Sequence, residues 1–264
     1  MNVRLVLAGV VAVMLVSGSV VAAALDDDDH ATAARPSARM VPTKGPRPVH
    51  REFLLGHSVQ GRPVDAFRLG ARSMRANVLV VGCIHGNEPA GIAVARDLVT
   101  DPPPRNLALW VVPDLNPDGV TADSRQNAHG VDLNRNFPFR WQHIDHPGGL
   151  HYSGPRALSE PESRMARHLI LRRRPHVTIW FHQHADVVDL SGGDAAIEQR
   201  YARLTGMPLA RLPRYPGSAA GWQNHALAGT TAFVVELPAG SLSPRGVERF
   251  SDAVLGLLPP RASA

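Results

Sequence analysis

Short runs dominated by apolar side chains recur along the chain at "VDAFRL" (64–69), "NVLVVGC" (77–83), "LALWVV" (107–112), "VTIWF" (177–181) and "TAFVVEL" (231–237). Their length and their β-branched and aromatic content predict strands, and their near-continuous apolarity predicts strands buried on both faces. Between and after them, apolar positions spaced three and four apart predict helices over 88–99, 159–173, 194–204 and 244–257. Strands separated by helices predict an α/β fold with its sheet covered on both sides. The sequence contains no internal repeat and no heptad pattern.

The N-terminal side is patterned differently. Arg4 precedes an apolar run that ends in small residues, with Ala22 and Ala24 placed for cleavage, so residues 1–24 are expected to be a signal peptide. An uncleaved anchor is the alternative, since roughly 20 apolar residues span a bilayer core of about 30 Å. Either way the remainder is expected outside the cytoplasm, secreted or in the cell envelope, with membrane attachment only through this segment. Residues 25–49 carry four consecutive aspartates and Pro36, Pro42, Pro46 and Pro48, the composition of a flexible linker. Residues 50–264 then form one domain, expected to act as a monomer.

Composition narrows the chemistry. The 264 residues are 44% hydrophobic, enough for a substantial core, and contain one cysteine, Cys83. That excludes an intramolecular disulfide framework, and Cys83 is expected to be a small buried strand residue. From residue 31 onward there are 27 basic and 19 acidic groups, a net +8. The basic groups are scattered, and the densest cluster, "LRRRPH" (171–176), closes a predicted helix, where cations suit the dipole. It is therefore read as a solvated helix end, and no nucleic-acid partner is expected.

In open α/β sheets, ligands bind beyond the carboxyl ends of the strands. His85 and Glu88 follow the second predicted strand, "PDLNPDG" follows the third, His182 and His184 follow the fourth, and Glu236 ends the fifth. Two imidazoles and one carboxylate form a zinc donor set that leaves a position for water. On extended backbone His184 would share a face with His182, which makes it a rival ligand.

Seven blocks stand in order: "GHSVQGRPV" (56–64), "HGNE" (85–88), "NPDG" (116–119), "GVDLNRNFP" (130–138), "SEPES" (159–163), "FHQH" (181–184) and "VELP" (235–238). Together they resemble the zinc carboxypeptidase family of the carboxypeptidase A type. The resemblance implies a three-layer αβα sandwich with a mixed, mostly parallel central sheet and one Zn2+ ion held by His85, Glu88 and His182. It implies that Asp132 orients the first zinc histidine and that Glu236 is the general base. Arg125 would stabilise the developing oxyanion, Asn134 and Arg135 would hold the substrate's terminal carboxylate, and Tyr215 would close over substrate. Tyr152 and Tyr201 are the alternatives for that last role.

The family implies a metallopeptidase hydrolysing an amide bond next to a free carboxylate, through water activated at the ion. From residue 50 only 215 residues remain, similar in size to the bacterial murein peptide amidases, which cleave the bond between γ-D-glutamate and diaminopimelate. The expected substrate is therefore a peptide or wall peptide, since export would bring the protein to peptidoglycan. A conventional carboxypeptidase, a small-molecule N-acyl deacylase of the aspartoacylase-like type and an inactive wall-binding protein are the competing readings. The blocks at 56–64, 116–119, 159–163 and 181–184 favour the peptidase branch over the deacylase. The specificity pocket is expected within 216–226, a stretch without formal charge.

Overall fold

The strands predicted at 177–181 and 231–237 lie side by side and in parallel at the centre of one eight-stranded sheet. In this computed structural model, residues 49–70, 77–101, 104 and 107–257 are described. The predicted signal segment and all of the predicted linker except Val49 lie outside the described residues. The strands are β1 (Val49–His57), β2 (Pro63–Gly70), β3 (Asn77–Val81), β4 (Ala108–Val112), β5 (Val177–Gln183), β6 (Val187–Asp189), β7 (Leu209–Ala210) and β8 (Thr231–Leu237). The helices are α1 (Ala90–Thr100), α2 (Pro117–Ala122), α3 (Pro161–Arg173), α4 (Ala195–Thr205), α5 (Ala219–Ala226) and α6 (Pro244–Gly256).

The sheet order is β1-β2-β4-β3-β5-β8-β6-β7. The four central strands β4, β3, β5 and β8 are mutually parallel, while β1, β2 and β6 pair antiparallel with β2, β4 and β8. Alternation along the central strands divides the core in two. Val78, Val80, Val111, Ile179, Phe181, Phe233 and Val235 pack with α1, α4 and α6. Leu79, Val81, Trp110, Val112, Trp180 and Ala232 pack on the other side with α3, α5 and the segment carrying Leu133 and Phe137. This is the expected three-layer sandwich with a mixed sheet, and burial on both faces explains why the strands read as continuous apolar runs.

Some elements escaped the pattern for local reasons. The edge strand β1 exposes most of its residues, so it has no buried stripe to announce it. Strands β6 and β7 are three and two residues long. The predicted helix at 88–99 begins at Ala90, leaving Glu88 in the preceding turn, and β3 ends at Val81, so Cys83 is buried just past its strand. The arginine cluster does close α3, with Arg172 and Arg173 in its last turn and Arg174 in the left-handed conformation after it.

Candidate active site

Parallel registration of β3, β5 and β8 puts the chemistry at one edge. His85 and Glu88 occupy the turn after β3, His182 is the penultimate residue of β5, and Glu236 is the penultimate residue of β8. The turn is closed by the Glu88 amide donating to the His85 carbonyl at 2.9 Å. Gly86 lies against α2 so closely that a Cβ on it would stand 1.9 Å from the carbonyl carbon of Gly119. Asn116 caps α2 by accepting from the Gly119 amide, and its Nδ2 donates to the Ile84 carbonyl at 3.1 Å. Asp118, in that same helix, accepts from Ser58 Oγ (2.8 Å), the Gln60 amide (2.9 Å) and Arg62 Nη1 (2.7 Å) of the β1–β2 turn. The "GHSVQGRPV", "HGNE" and "NPDG" blocks are thus one connected support.

His85 Nδ1 and His182 Nδ1 are 3.1 Å apart, and they face Glu88 Oε1 and Oε2 at 3.0 and 2.8 Å respectively. All three residues are buried, and one ligand atom from each lies within 4.8 Å of the others. Two ring nitrogens and a carboxylate converging at these separations, two imidazoles and one acid, make a donor set that fits a divalent metal ion. Burial alone would push the Glu88 carboxyl up, but hydrogen bonds from His182 and His85 outweigh it and hold Glu88 well below the usual carboxylate range. Burial alone would lower His85, and here the Asp132 and Glu88 carboxylates prevail and raise it.

Asp132 is fully buried and serves several groups. Its Oδ1 accepts from His85 Nε2 at 3.0 Å and from the Asn134 amide at 2.9 Å, and its Oδ2 accepts from Arg125 Nε at 2.9 Å. Desolvation opposes its ionisation, yet His85, His151 and Arg125 together keep it well below its ordinary value. Holding Nε2 of His85 fixes the tautomer that leaves Nδ1 free to coordinate. Arg125 also donates Nη1 to Glu88 Oε1 at 2.9 Å. The segment that carries Asn134 and Arg135 is anchored by Phe137, whose ring meets Trp180 and Trp222 at centroid distances of 6.1 and 5.4 Å.

A cavity beside the three donors is lined by Arg125, Asn134, Arg135, Tyr215 and Glu236, so the structure brings together all the residues assigned to the site except Asp132, which stands behind His85. Burial raises the Glu236 carboxyl above its ordinary range. Tyr215 is 51% exposed at the rim, with the Arg135 guanidinium 4.1 Å from its ring centroid. Gly217, at φ 71°, holds this segment in contact with the Arg135 carbonyl, where a Cβ would come within 2.1 Å. Tyr201 is instead a core residue whose hydroxyl donates to the Phe250 carbonyl, and Tyr152 takes no part in lining the cavity. Strand β5 ends at Gln183, so the face-sharing expected of His184 does not arise; His184 is exposed and outside the donor cluster.

The pocket wall also contains residues outside the expected 216–226 stretch. Ser218, Ala220 and Gly221 come from that stretch, but Gln183, Asp189, Ser191 and Arg214 line the cavity as well. Gln183 Oε1 accepts from the Ala90 amide at 2.9 Å and its Nε2 donates to the Pro238 and Gly240 carbonyls, joining the starts of α1 and the loop after β8. Asp189 and Arg214 form an ion pair at 2.6 Å. Their separation of 25 residues, in a three-residue edge strand and a loop, follows no periodicity that would have marked them.

Comparison with known proteins agrees with this geometry. The chain is 29% identical over 231 residues to murein peptide amidase A of Vibrio campbellii (strain ATCC BAA-1116), covering 81% of this chain and 91% of that protein. It is 28% identical over 180 residues to murein peptide amidase A of Escherichia coli (strain K12), covering 63% and 74%. The crystal structure of murein-tripeptide amidase from Escherichia coli O157 matches with a TM-score of 0.67 at 24% identity, over 83% of this chain and 96% of that one. Carboxypeptidase A from Helicoverpa armigera matches with a TM-score of 0.67 at 21% identity, over 78% and 67%. The zinc carboxypeptidase family matches residues 44–199, a span that includes His85, Glu88, Asp132 and His182. The chain belongs to the zinc carboxypeptidase family and is a metallo-hydrolase.

Proposed function

We propose that this enzyme hydrolyses an amide bond next to a free carboxylate in cell-wall peptides, the bond between γ-D-glutamate and diaminopimelate, and that it does so outside the cytoplasm. One observation carries the reading: the donors His85, Glu88 and His182 share a cavity with the carboxylate of Glu236 and the guanidinium groups of Arg125 and Arg135. The two murein peptide amidase relatives supply the wall-peptide substrate class.

A zinc ion held by His85, Glu88 and His182 supplies Lewis acidity that makes water a usable nucleophile near neutral pH. The chain's own residues supply the rest. Glu236 accepts the proton of the attacking water and delivers it to the departing amine. Arg135 and Asn134 receive the substrate's terminal carboxylate, for which a planar guanidinium fork is suited. The Asn134 side-chain oxygen accepts from the Ala219 amide at 2.9 Å, which fixes its orientation and turns its NH2 toward a ligand. Arg125, oriented by Asp132 and Glu88, presents positive charge where negative charge develops on the carbonyl oxygen. Tyr215, exposed and stacked on Arg135, closes over the bound residue.

The test is to incubate zinc-loaded protein with Ala-γ-Glu-diaminopimelate and with ordinary peptides bearing aromatic, basic or acidic C-termini, with zinc stoichiometry measured on the same sample. Release of diaminopimelate is expected. Release from the ordinary peptides alone would reject the wall-peptide substrate and leave a conventional carboxypeptidase.

A further inference from the structure

The Asp189–Arg214 pair is built into the pocket wall yet has no part in the chemistry above. Asp189 ends β6, next to the strand that carries Glu236, and it is 3% exposed. Its Oδ1 accepts from the Leu212 amide at 2.8 Å, and its Oδ2 accepts from Ser191 Oγ and Arg214 Nη1, each at 2.6 Å. Ser191 is itself fixed, because its hydroxyl accepts from the Val234 amide (3.1 Å) and its amide donates to buried Glu198 at 2.9 Å. The carboxylate is therefore enclosed and engaged on both oxygens.

Its partner faces the other way. The Arg214 side chain is 42% exposed against 4% for Asp189, and it lines the same cavity as Arg135 and Glu236. Besides Asp189 it donates Nη2 to the Leu190 carbonyl, and a guanidinium has five N–H donors. The pair thus presents a held cation to the cavity, with its balancing anion nearly buried in the same wall. Arg214 directly precedes Tyr215, whose ring carries Arg135, and both arginines line the cavity.

We propose that Arg214 is a specificity residue that binds a second carboxylate, at the far end of the side chain of the residue released, and that Asp189 is its positioning residue. The proposal deepens the function proposed above and rests on that reading of the cavity. With Arg135 on the terminal carboxylate, a side chain ending in its own carboxylate reaches the second guanidinium, as diaminopimelate does. Lysine is diaminopimelate without that carboxylate, so the pair of end groups isolates the contact.

The experiment compares kcat/KM for diaminopimelate and lysine as the released residue, in both γ-glutamyl-linked and ordinary α-linked peptides, for the zinc-loaded protein and for Arg214→Gln and Arg214→Lys. Calorimetric binding of free diaminopimelate and free lysine is measured alongside. The unaltered protein is expected to prefer diaminopimelate by about 10- to 100-fold, the range for hydrogen bonds to a charged group. Arg214→Gln should collapse that ratio toward one, chiefly through KM, and Arg214→Lys should restore part of it. Asp189→Asn should lower the ratio less than Arg214→Gln does. An equal loss on both end groups, or an unchanged ratio, would overturn the role of Arg214. Cleavage of α-linked peptides alone would overturn the wall-peptide reading while the diaminopimelate-to-lysine ratio still decides this one; without turnover on either linkage, the calorimetric ratio decides it.

Discussion

His182 and Glu236 are register partners on the adjacent parallel strands β5 and β8. Being directly opposite, they project to the same face of the sheet, which sets a metal donor beside a carboxylate without either being a metal partner of the other. Glu236→Gln is therefore expected to keep its zinc and lose turnover, with kcat falling about 10²- to 10⁴-fold, the usual contribution of a general base. Steady-state rates with metal analysis on one sample check this. Retained activity would remove Glu236 from the chemistry.

Asp132 gives a contrasting defect. Its hydrogen bond to His85 Nε2 sets the ring that faces the ion, so Asp132→Asn should weaken zinc binding by about 10- to 100-fold. Titration against a competing chelator measures it. Equal affinity in the two proteins would show that His85 needs no partner to hold its orientation.

The acid side of the pH profile follows from Glu236. Burial raises its carboxyl, and it can accept a proton only when ionised. Activity is lost as the pH falls through that raised value, so the acidic limb of kcat/KM should lie above the ordinary carboxylate range of about 4. A limb at or below pH 4 would contradict the assignment.

Asp114 supplies a stability test away from the metal donors. Burial pushes its carboxyl up to about 6, although the Asn116 amide and Arg96 act in the opposite direction. A folded value above the unfolded one means that the stability it contributes is complete below about pH 4 and is lost as the pH rises through about 6. Asp114→Asn, which keeps an acceptor for the Asn116 amide, should gain about 1–3 kcal/mol at pH 7.5 and little at pH 4. Denaturant unfolding at the two pH values decides it. A gain of the same size at both would point to packing in place of ionisation.

The sequence disclosed the parts of the fold whose burial is periodic. All five predicted strands and four predicted helices are present, because continuous apolar runs and three-to-four spacing are direct imprints of a covered sheet. The metal donors were legible since each lies at or just past the end of an apolar strand, and strand ends of a parallel sheet share an edge. The roles of Arg125, Asn134 and Arg135 came through the family likeness, because a loop arginine has no pattern of its own. Asp189 and Arg214 stayed hidden for the same reason: an edge strand of three residues and a loop meet only through folding. His184 does not rival His182 because alternation holds only while a strand continues, and β5 stops one residue earlier.

The contact between Gly86 and α2 reaches further than its size suggests. That helix is moored through Asp118 to the outermost hairpin, so the ground beneath His85 is laid by residues about 25 positions earlier in the chain. Trimming the protein from its N-terminal side through Arg62 would strip away that mooring while leaving every metal donor in place, so a working enzyme is expected to begin ahead of Ser58, well before the strand that carries the chemistry.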